Sequence, residues 1–348
     1  MPPLEGVLRA ALPGSAPALS PVSDATVASL SPKLVAVPGN EIPAGMTCGR
    51  LVTPDRVALR YAVAPGPSLS KGTVCILQGR GEFIERYFET VRDLRARGYT
   101  VATLDWRGQG GSARLLRQPW RGHIRSFRHY DIDLETFVRE IVLPDCPPPF
   151  YAIGHSTGGQ ILLRALRRHR WFSAAVLSSP FLGLGPTPLP SWMVRLIAPL
   201  FIMTGLGWIA VPGRGKAALT LDTFEGNPLT SDRRRFAVSQ RIIEAEPALG
   251  LGAPTLSWLN AALSSMRGLH RLKGERPLTA PVLIVAAGVD RVVSTEASRD
   301  FARHVPGVAA VVIDHARHEL LQERDEFRVQ FWAAFDAFIG ALSASPSR

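Results

Sequence analysis

Two hydrophobic periods alternate along most of the chain. Val57–Val63 repeats apolar and polar residues every second position, as in a half-buried strand. Thr73–Gln78, Tyr99–Leu104, Phe150–Ile153, Ala174–Ser178, Val282–Ala287 and Ala309–Ile313 are short, β-rich apolar runs. That is the pattern of strands covered on both faces. Between them, Ile84–Arg97 sets Ile84, Tyr87, Phe88, Val91 and Leu94 at helical spacing and stops at Gly98. Tyr130–Val142 closes at Pro144, and Gly158–His169 carries Ile161, Leu162, Ala165 and Leu166 on one side. Ser294–His304, capped by Ser294 or Thr295, and Leu320–Leu342 complete the helical set. Strands alternating with helices of this length predict an α/β fold with a mostly parallel sheet covered on both faces.

The alternation lapses from Pro180 to Lys273, where Pro-rich turns and apolar helical pieces replace the β signal. Some ninety residues far exceed an ordinary loop. The organisation expected is a flexible arm over 1–40, rich in Ala, Pro and Ser, then a first core part over 41–179. A helical cap or lid over 180–273 and a second core part over 274–348 follow. Leu196–Val211 is the longest uncharged apolar run. Pro199, Gly205 and Gly207 break it, so it reads as a buried or interfacial helix rather than a membrane span. No repeat of solenoid or propeller length is present.

Composition narrows the function classes. With 348 residues and 46% hydrophobic content the chain can bury a full core. Its three cysteines, Cys48, Cys75 and Cys146, include no C-x-x-C pair, which argues against a disulfide framework or a cysteine zinc site and fits a reducing compartment. The start lacks the apolar core of a secretory signal, so a cytoplasmic location is expected. The net charge is +11, nearly all of it arginine, the only lysines being Lys33, Lys71, Lys216 and Lys273. No nucleic-acid-binding pattern accompanies that charge. A solvated basic surface is the first expectation, and peripheral contact with an anionic membrane at its inner face the second.

The candidate chemistry lies in F-Y-A-I-G-H-S-T-G-G-Q, residues 150–160. The G-x-S-x-G pattern alone is common by chance; its placement between a strand and a helix gives it meaning. Ser156 then sits on a tight turn that lifts Oγ above the carboxyl edge of the sheet. The Thr157 amide, at the helix N-terminus, points where an oxyanion would form. A serine needs a base. His155 is adjacent, but its side chain is expected to point away from Oγ. His123, His129, His169, His270 and His304 fall in helices, in the insertion or before it, which leaves His315 and His318 after the last strand. Asp290, after the strand Val282–Ala287, is the carboxylate to orient the base, with Asp314 as its competitor. Gln78-Gly79-Arg80-Gly81-Glu82 follows an earlier strand, and Arg80 N–H is the second oxyanion donor expected there. The loop lacks the G-K-[ST] of a phosphate loop, and a 315/318 histidine pair lacks a third metal ligand, so no metal or organic cofactor is expected.

With these residues in place the chain resembles the lysophospholipase and monoacylglycerol-lipase branch of the α/β-hydrolase superfamily, from about Ile42 to Ile339. Four motifs carry the resemblance: Gln78–Glu82, Asp105-Trp106-Arg107-Gly108-Gln109-Gly110-Gly111-Ser112, Gly154-His155-Ser156-Thr157-Gly158-Gly159, and Ala316-Arg317-His318-Glu319. The second, most specific, resembles a family loop thought to shape the site rather than react. The fourth resembles the family's A-x-H-E and selects His318 over His315. Asn227-Pro228-Leu229-Thr230-Ser231-Asp232 looks like bacterial lysophospholipases, while Gln78 stands where the family more often has histidine. The resemblance implies a serine hydrolase acting on lipid esters through Ser156, His318 and Asp290. The alternatives are a general carboxylesterase, an aminopeptidase-like hydrolase, a lipid acyltransferase, or a silent ligand-binding homologue.

Overall fold

The computed structural model describes residues 32–186, 201–211, 223–271 and 278–344. Its strands are β1 (Thr47–Val52), β2 (Ala58–Ala64), β3 (Thr73–Leu77), β4 (Thr100–Leu104), β5 (Phe150–His155), β6 (Ala174–Ser178), β7 (Val282–Ala287) and β8 (Val308–Ile313). They form one sheet in the order β1-β2-β4-β3-β5-β6-β7-β8. The pairs from β4 to β8 are all parallel, and β1–β2 and β2–β4 are antiparallel. Strands β3, β4, β6 and β7 are buried at every position, as their unbroken apolar runs require. β1 has no counterpart in the periodicity. It is an edge strand, T-C-G-R-L-V, and only Leu51 in it is buried.

Helices α1 (Phe88–Ala96), α2 (Arg128–Phe137), α3 (Thr157–Ala165), α4 (Arg233–Ala245), α5 (Leu256–His270), α6 (Thr295–His304) and α7 (Asp325–Ala344) accompany the sheet. One face packs Leu77, Leu104, Trp106, Leu134, Phe137 and Leu162 into a core. The other packs Val74, Ile76, Phe88, Leu94, Phe331 and Phe335. Three expected helices are subdivided. A 3-10 turn at Ile84–Tyr87 precedes α1, a π turn at Val138–Val142 extends α2, and a 3-10 turn at Leu320–Gln322 stands apart from α7. Buried carboxylates take up free amides beside two of these breaks. The Asp105 carboxylate accepts the Ile84 amide (3.0 Å), and Glu323 accepts those of Arg317 and Arg324 (2.9 and 3.0 Å).

The end of the expected flexible arm is tied down. Val35 N–H donates to Glu85 (3.2 Å), the Asn40 amide to the Glu85 carbonyl (2.9 Å), and Val37 packs with Phe83 and Ile242. Val35, Val37 and Asn40 are thus in contact with the core; residues 1–31 lie outside the described residues. Between β6 and β7, α4 and α5 are capped by Asp232 and Thr255. Residues 196–200 of the apolar run Leu196–Val211 also lie outside the described residues; in the rest of the run Met203, Leu206 and Trp208 are exposed. Among the described residues no helix is long and apolar enough to cross a membrane. Cys48, Cys75 and Cys146 are free thiols.

The loop Asp105–Ser112 is held by buried charge. Asp105, fully buried, accepts from the Ile84 and Gly111 amides and from Arg60 (3.0, 2.7 and 2.7 Å). Arg60 also grips Glu85 with two bonds of 2.8 Å. Gly110 adopts φ 54°, and a Cβ there would strike the Asp105 carboxylate. Removing one partner of such a network leaves uncompensated buried charge. Arg60→Ala is expected to cost about 3–5 kcal/mol of stability in urea unfolding. A loss within about 0.5 kcal/mol, typical of a surface change, would contradict the network's structural role.

Candidate active site

β5 ends at His155 and α3 begins at Thr157, so Ser156 stands alone in the turn at φ 48°, ψ −113°. A side-chain-bearing residue in that region is strained and persists only where its surroundings fix it. Here β5 and α3 pass with no side chain between them. A Cβ on Gly154 would meet Gly159 Cα at 2.8 Å, and one on Gly158 would collide with the Leu77 and Gln78 carbonyl oxygens at the end of β3. Ser156 N–H donates to the Ser178 carbonyl (3.0 Å), and its carbonyl accepts from Phe181 N–H (3.0 Å) and Gln160 N–H (3.2 Å).

Parallel strands β5, β7 and β8 end at one edge, and their following loops deliver the remaining groups. His318 Nε2 lies 3.1 Å from Ser156 Oγ, and His318 Nδ1 lies 2.7 Å from Asp290 Oδ2. The other Asp290 oxygen accepts the Val292 and Val293 amides (2.8 and 2.9 Å). Burial disfavours the imidazolium of His318, but the Asp290 carboxylate outweighs it and holds the pKa above the ordinary histidine value. Burial likewise opposes the Asp290 charge, and His318 with the two amides still keeps its carboxyl below the usual range. The structure thus brings Ser156, His318 and Asp290 into one hydrogen-bonded chain. The competitors Asp314 and His315 are exposed on a turn, His315 at φ 63°.

Arg80 and Thr157 both border the cavity into which Ser156 and His318 open. Thr157 contributes the first amide of α3, at its positive end. The Arg80 peptide is fixed on both sides: Gly79 N–H donates to the Glu82 carboxylate and Gly81 N–H to Gln109 Oε1 (3.0 Å). The Asp105–Ser112 loop sets this segment twice more. The Trp106 indole donates to the Gln78 carbonyl (2.9 Å) and the Gln109 amide to the Gly79 carbonyl (3.3 Å). The Arg80 guanidinium reaches the Gly252 carbonyl and lies over the Trp258 ring, 5.3 Å from its centroid.

His155 makes no bond to Oγ, and its ring lies against that of His318, with centroids 4.8 Å apart. Its Nδ1 is 3.1 Å from the Ser178 carbonyl, its Nε2 is 3.5 Å from Glu82, and burial lowers its pKa. Turn geometry sets its direction relative to Oγ but carries no information on what the β8 loop packs against it. Sequence reasoning named Glu82 and Glu319 only as motif members, without a role, and did not single out Arg86. Arg86 pairs with Glu319 (2.6 Å) and lies 3.5 Å from Glu82, which accepts from Tyr87 Oη (2.7 Å). All are buried. Opposite charges at i and i+4 within an otherwise apolar segment were the available signal.

The cavity has a volume of about 400 Å³. Phe181, Leu184, Leu229, Trp258, Leu259 and Val292 give it an apolar wall, and Glu82, Arg86 and Glu319 a charged end. All but Val292 of these apolar residues fall within residues 180–273, and Trp258 donates its indole N–H to Tyr130 Oη (3.1 Å). Among the described residues no group of three or more His, Cys, Asp or Glu side chains is arranged to hold a metal ion.

The family model described as serine aminopeptidase S33 matches residues 68–325. Lysophospholipase L2 of Escherichia coli strain K12 is 32% identical over 291 residues, covering 79% of this chain and 82% of the relative. The probable lysophospholipase L2 of Haemophilus influenzae is 28% identical, covering 83% and 90%. In fold, the chain is similar to a soluble variant of monoglyceride lipase from Saccharomyces cerevisiae, solved with a substrate analogue. The TM-score is 0.67 at 19% identity, over 85% of this chain and 96% of that one.

The glycine contacts at the turn yield a stability prediction. In Gly158→Ala the clash is with β3 backbone rather than with a movable side chain. The expected loss is about 3 kcal/mol or more, read from the urea midpoint at unchanged m-value. Wild-type stability in this variant would show that the α3–β3 approach does not require glycine.

Proposed function

The chain belongs to the serine aminopeptidase S33 family of α/β-hydrolases, and within it we propose a serine hydrolase cleaving carboxylic esters of lipids, a lysophospholipase or monoacylglycerol lipase. The observation that carries this reading is the Asp290–His318–Ser156 chain opening into a cavity lined by apolar side chains together with the buried charges Glu82, Arg86 and Glu319. An amphiphilic ester suits that lining. Each CH₂ buried against the apolar wall contributes about 0.8 kcal/mol. The names of the lysophospholipase relatives support the same substrate class over peptide amides.

In the proposed reaction His318 takes the Ser156 proton as Oγ attacks the ester carbonyl. The tetrahedral oxyanion is received by the Thr157 and Arg80 amides. His318 then returns the proton to the leaving alcohol, water enters along the same path, and the acyl-serine is hydrolysed. Asp290, held by two backbone amides, fixes the tautomer with Nδ1–H toward itself and stabilises the imidazolium. The insertion over 180–273 acts as the cap that supplies the acyl wall. Exposed Met203, Leu206 and Trp208, with Arg121 stacked 4.9 Å from the Trp208 centroid, support peripheral contact with an anionic membrane.

Two measurements test this reading. A fluorophosphonate probe is expected to label the wild type and not Ser156→Ala, and octanoyl or longer nitrophenyl esters to outpace acetyl. Equal labelling would sink the nucleophile, and a preference for acetyl would sink the lipid reading. The pH profile tests the base. His318 must be neutral to accept the proton, so kcat/KM should fall as pH drops through a pKa above the ordinary histidine value. Asp290→Asn removes the attraction that raises it, which should move this acidic limb to lower pH and reduce kcat by about 10⁴. A limb that stays in place would contradict the assignment of Asp290.

A further inference from the structure

Beside the catalytic cavity lies a second one of about 290 Å³, bordered by Arg291, Arg317, Arg324 and His315 with Ser231 and Asn227. Among the described residues no carboxylate borders it. Arg291 belongs to the border of both cavities, so the two meet at that side chain. We propose that this second cavity is a phosphate subsite, which takes the phosphate of a lysophospholipid head group while the acyl ester sits at Ser156. The proposal rests on the lipid-esterase reading and deepens it, choosing lysophospholipids as the substrate class over monoacylglycerols.

The local construction keeps the arginines near one another. Glu323, wholly buried, accepts the Ser231 amide and hydroxyl (3.0 and 2.5 Å) and the Arg317 and Arg324 amides (2.9 and 3.0 Å). It therefore ties the 227–231 segment to the 317–324 segment from beneath. Arg317 Nη1 donates to the Asn227 and Thr230 carbonyls (3.0 Å each), which fixes its guanidinium at the border. Asn227 Oδ1 in turn accepts the Leu229 and Thr230 amides (3.0 Å each) and shapes the turn. This accounts for Asn227–Asp232, a segment the catalytic chain does not use. Arg324 pairs with Glu326 at 2.7 Å, but both side chains are more than half exposed, so solvent or a phosphate readily replaces that contact. Arg291 is exposed.

The charge distribution excludes the alternative end. Glu82 and Glu319 share a single arginine, Arg86, so that end of the catalytic cavity is not a place for an anion. Guanidinium groups, by contrast, offer paired N–H donors matched to phosphate oxygens. The three glycerol carbons are the only spacer between an sn-1 ester and an sn-3 phosphate, so a phosphate site must adjoin the catalytic cavity, as this one does through Arg291.

The test uses Arg291→Gln, Arg324→Gln and the double variant. Their kcat/KM is compared on 1-palmitoyl lysophosphatidylcholine and on 1-palmitoylglycerol in the same neutral-detergent micelles, with thermal melts confirming the fold. Each single variant should lower the lysophospholipid-to-monoacylglycerol ratio by about tenfold, and the double variant should lower it further. Flotation with phosphatidylglycerol vesicles separates the two sources of phosphate. Lost vesicle binding with an unchanged ratio would overturn the subsite in favour of docking on bilayer phosphates. Equal losses on both substrates would also overturn it. A wild type active only on 1-palmitoylglycerol would overturn the subsite and leave the esterase reading standing; one active on neither would overturn both.

Discussion

The site depends on a place where there is no room. At Gly154, Gly158 and Gly159 the last strand residues of β5, the first turn of α3 and the carbonyl end of β3 touch backbone to backbone. That contact leaves Ser156 a single conformation, strained and pinned by β6 and α3. Release the contact and three things move at once: the hydroxyl, the first amide of α3 and the Gln78–Glu82 loop whose carbonyls α3 rests on. The Ser156 turn and the first amide of α3 therefore share one packing constraint, while the Arg80 peptide is held by further bonds of its own.

Buried charge does the complementary work. The 3-10 turn Ile84–Tyr87 presents Glu85 to Arg60, which also holds Asp105, while Arg86 on the same turn faces Glu82 and Glu319 beside His318. Two ionic networks thus share one short turn. Trp106 and Gln109 add direct bonds from the Asp105–Ser112 loop to the Gln78–Gly79 backbone beside Arg80. A loop set back from Ser156 and His318 accordingly helps to hold the Arg80 peptide.

Much of this was legible in the residue order because it follows from local rules. Unbroken apolar runs marked the interior parallel strands, and Gly-x-Ser-x-Gly between a strand and a helix marked the turn. Since the strands are parallel, loops after β7 and β8 had to arrive at the same edge as Ser156, which pointed to Asp290 and to His315 or His318; the resemblance of Ala316–Glu319 to the family's A-x-H-E then chose His318. What escaped depended on long-range contacts. β1 is an edge strand with one buried side chain, so it carries little periodic signal. The ring of His155 is set by what the β8 loop lays against it. Residues 32–40 look like part of an unstructured arm, yet are anchored by Glu85, a partner some fifty positions away. Glu82 and Arg86 are far from Glu319 in the residue order, and only folding brings the three into one buried cluster.

Trp258 links the insertion to the core in a way that bears on how a ligand enters. Its indole is bonded to Tyr130, whose ring stands edge-on to both Trp106 and Phe127. The aromatic wall is consequently braced against the same interior that supports the sheet. The rotational freedom of these large side chains is surrendered during folding, not at each encounter with a ligand. If this wall receives an acyl chain as proposed, discrimination on this side rests on the chain's own length and stiffness rather than on rearrangement of the protein around it.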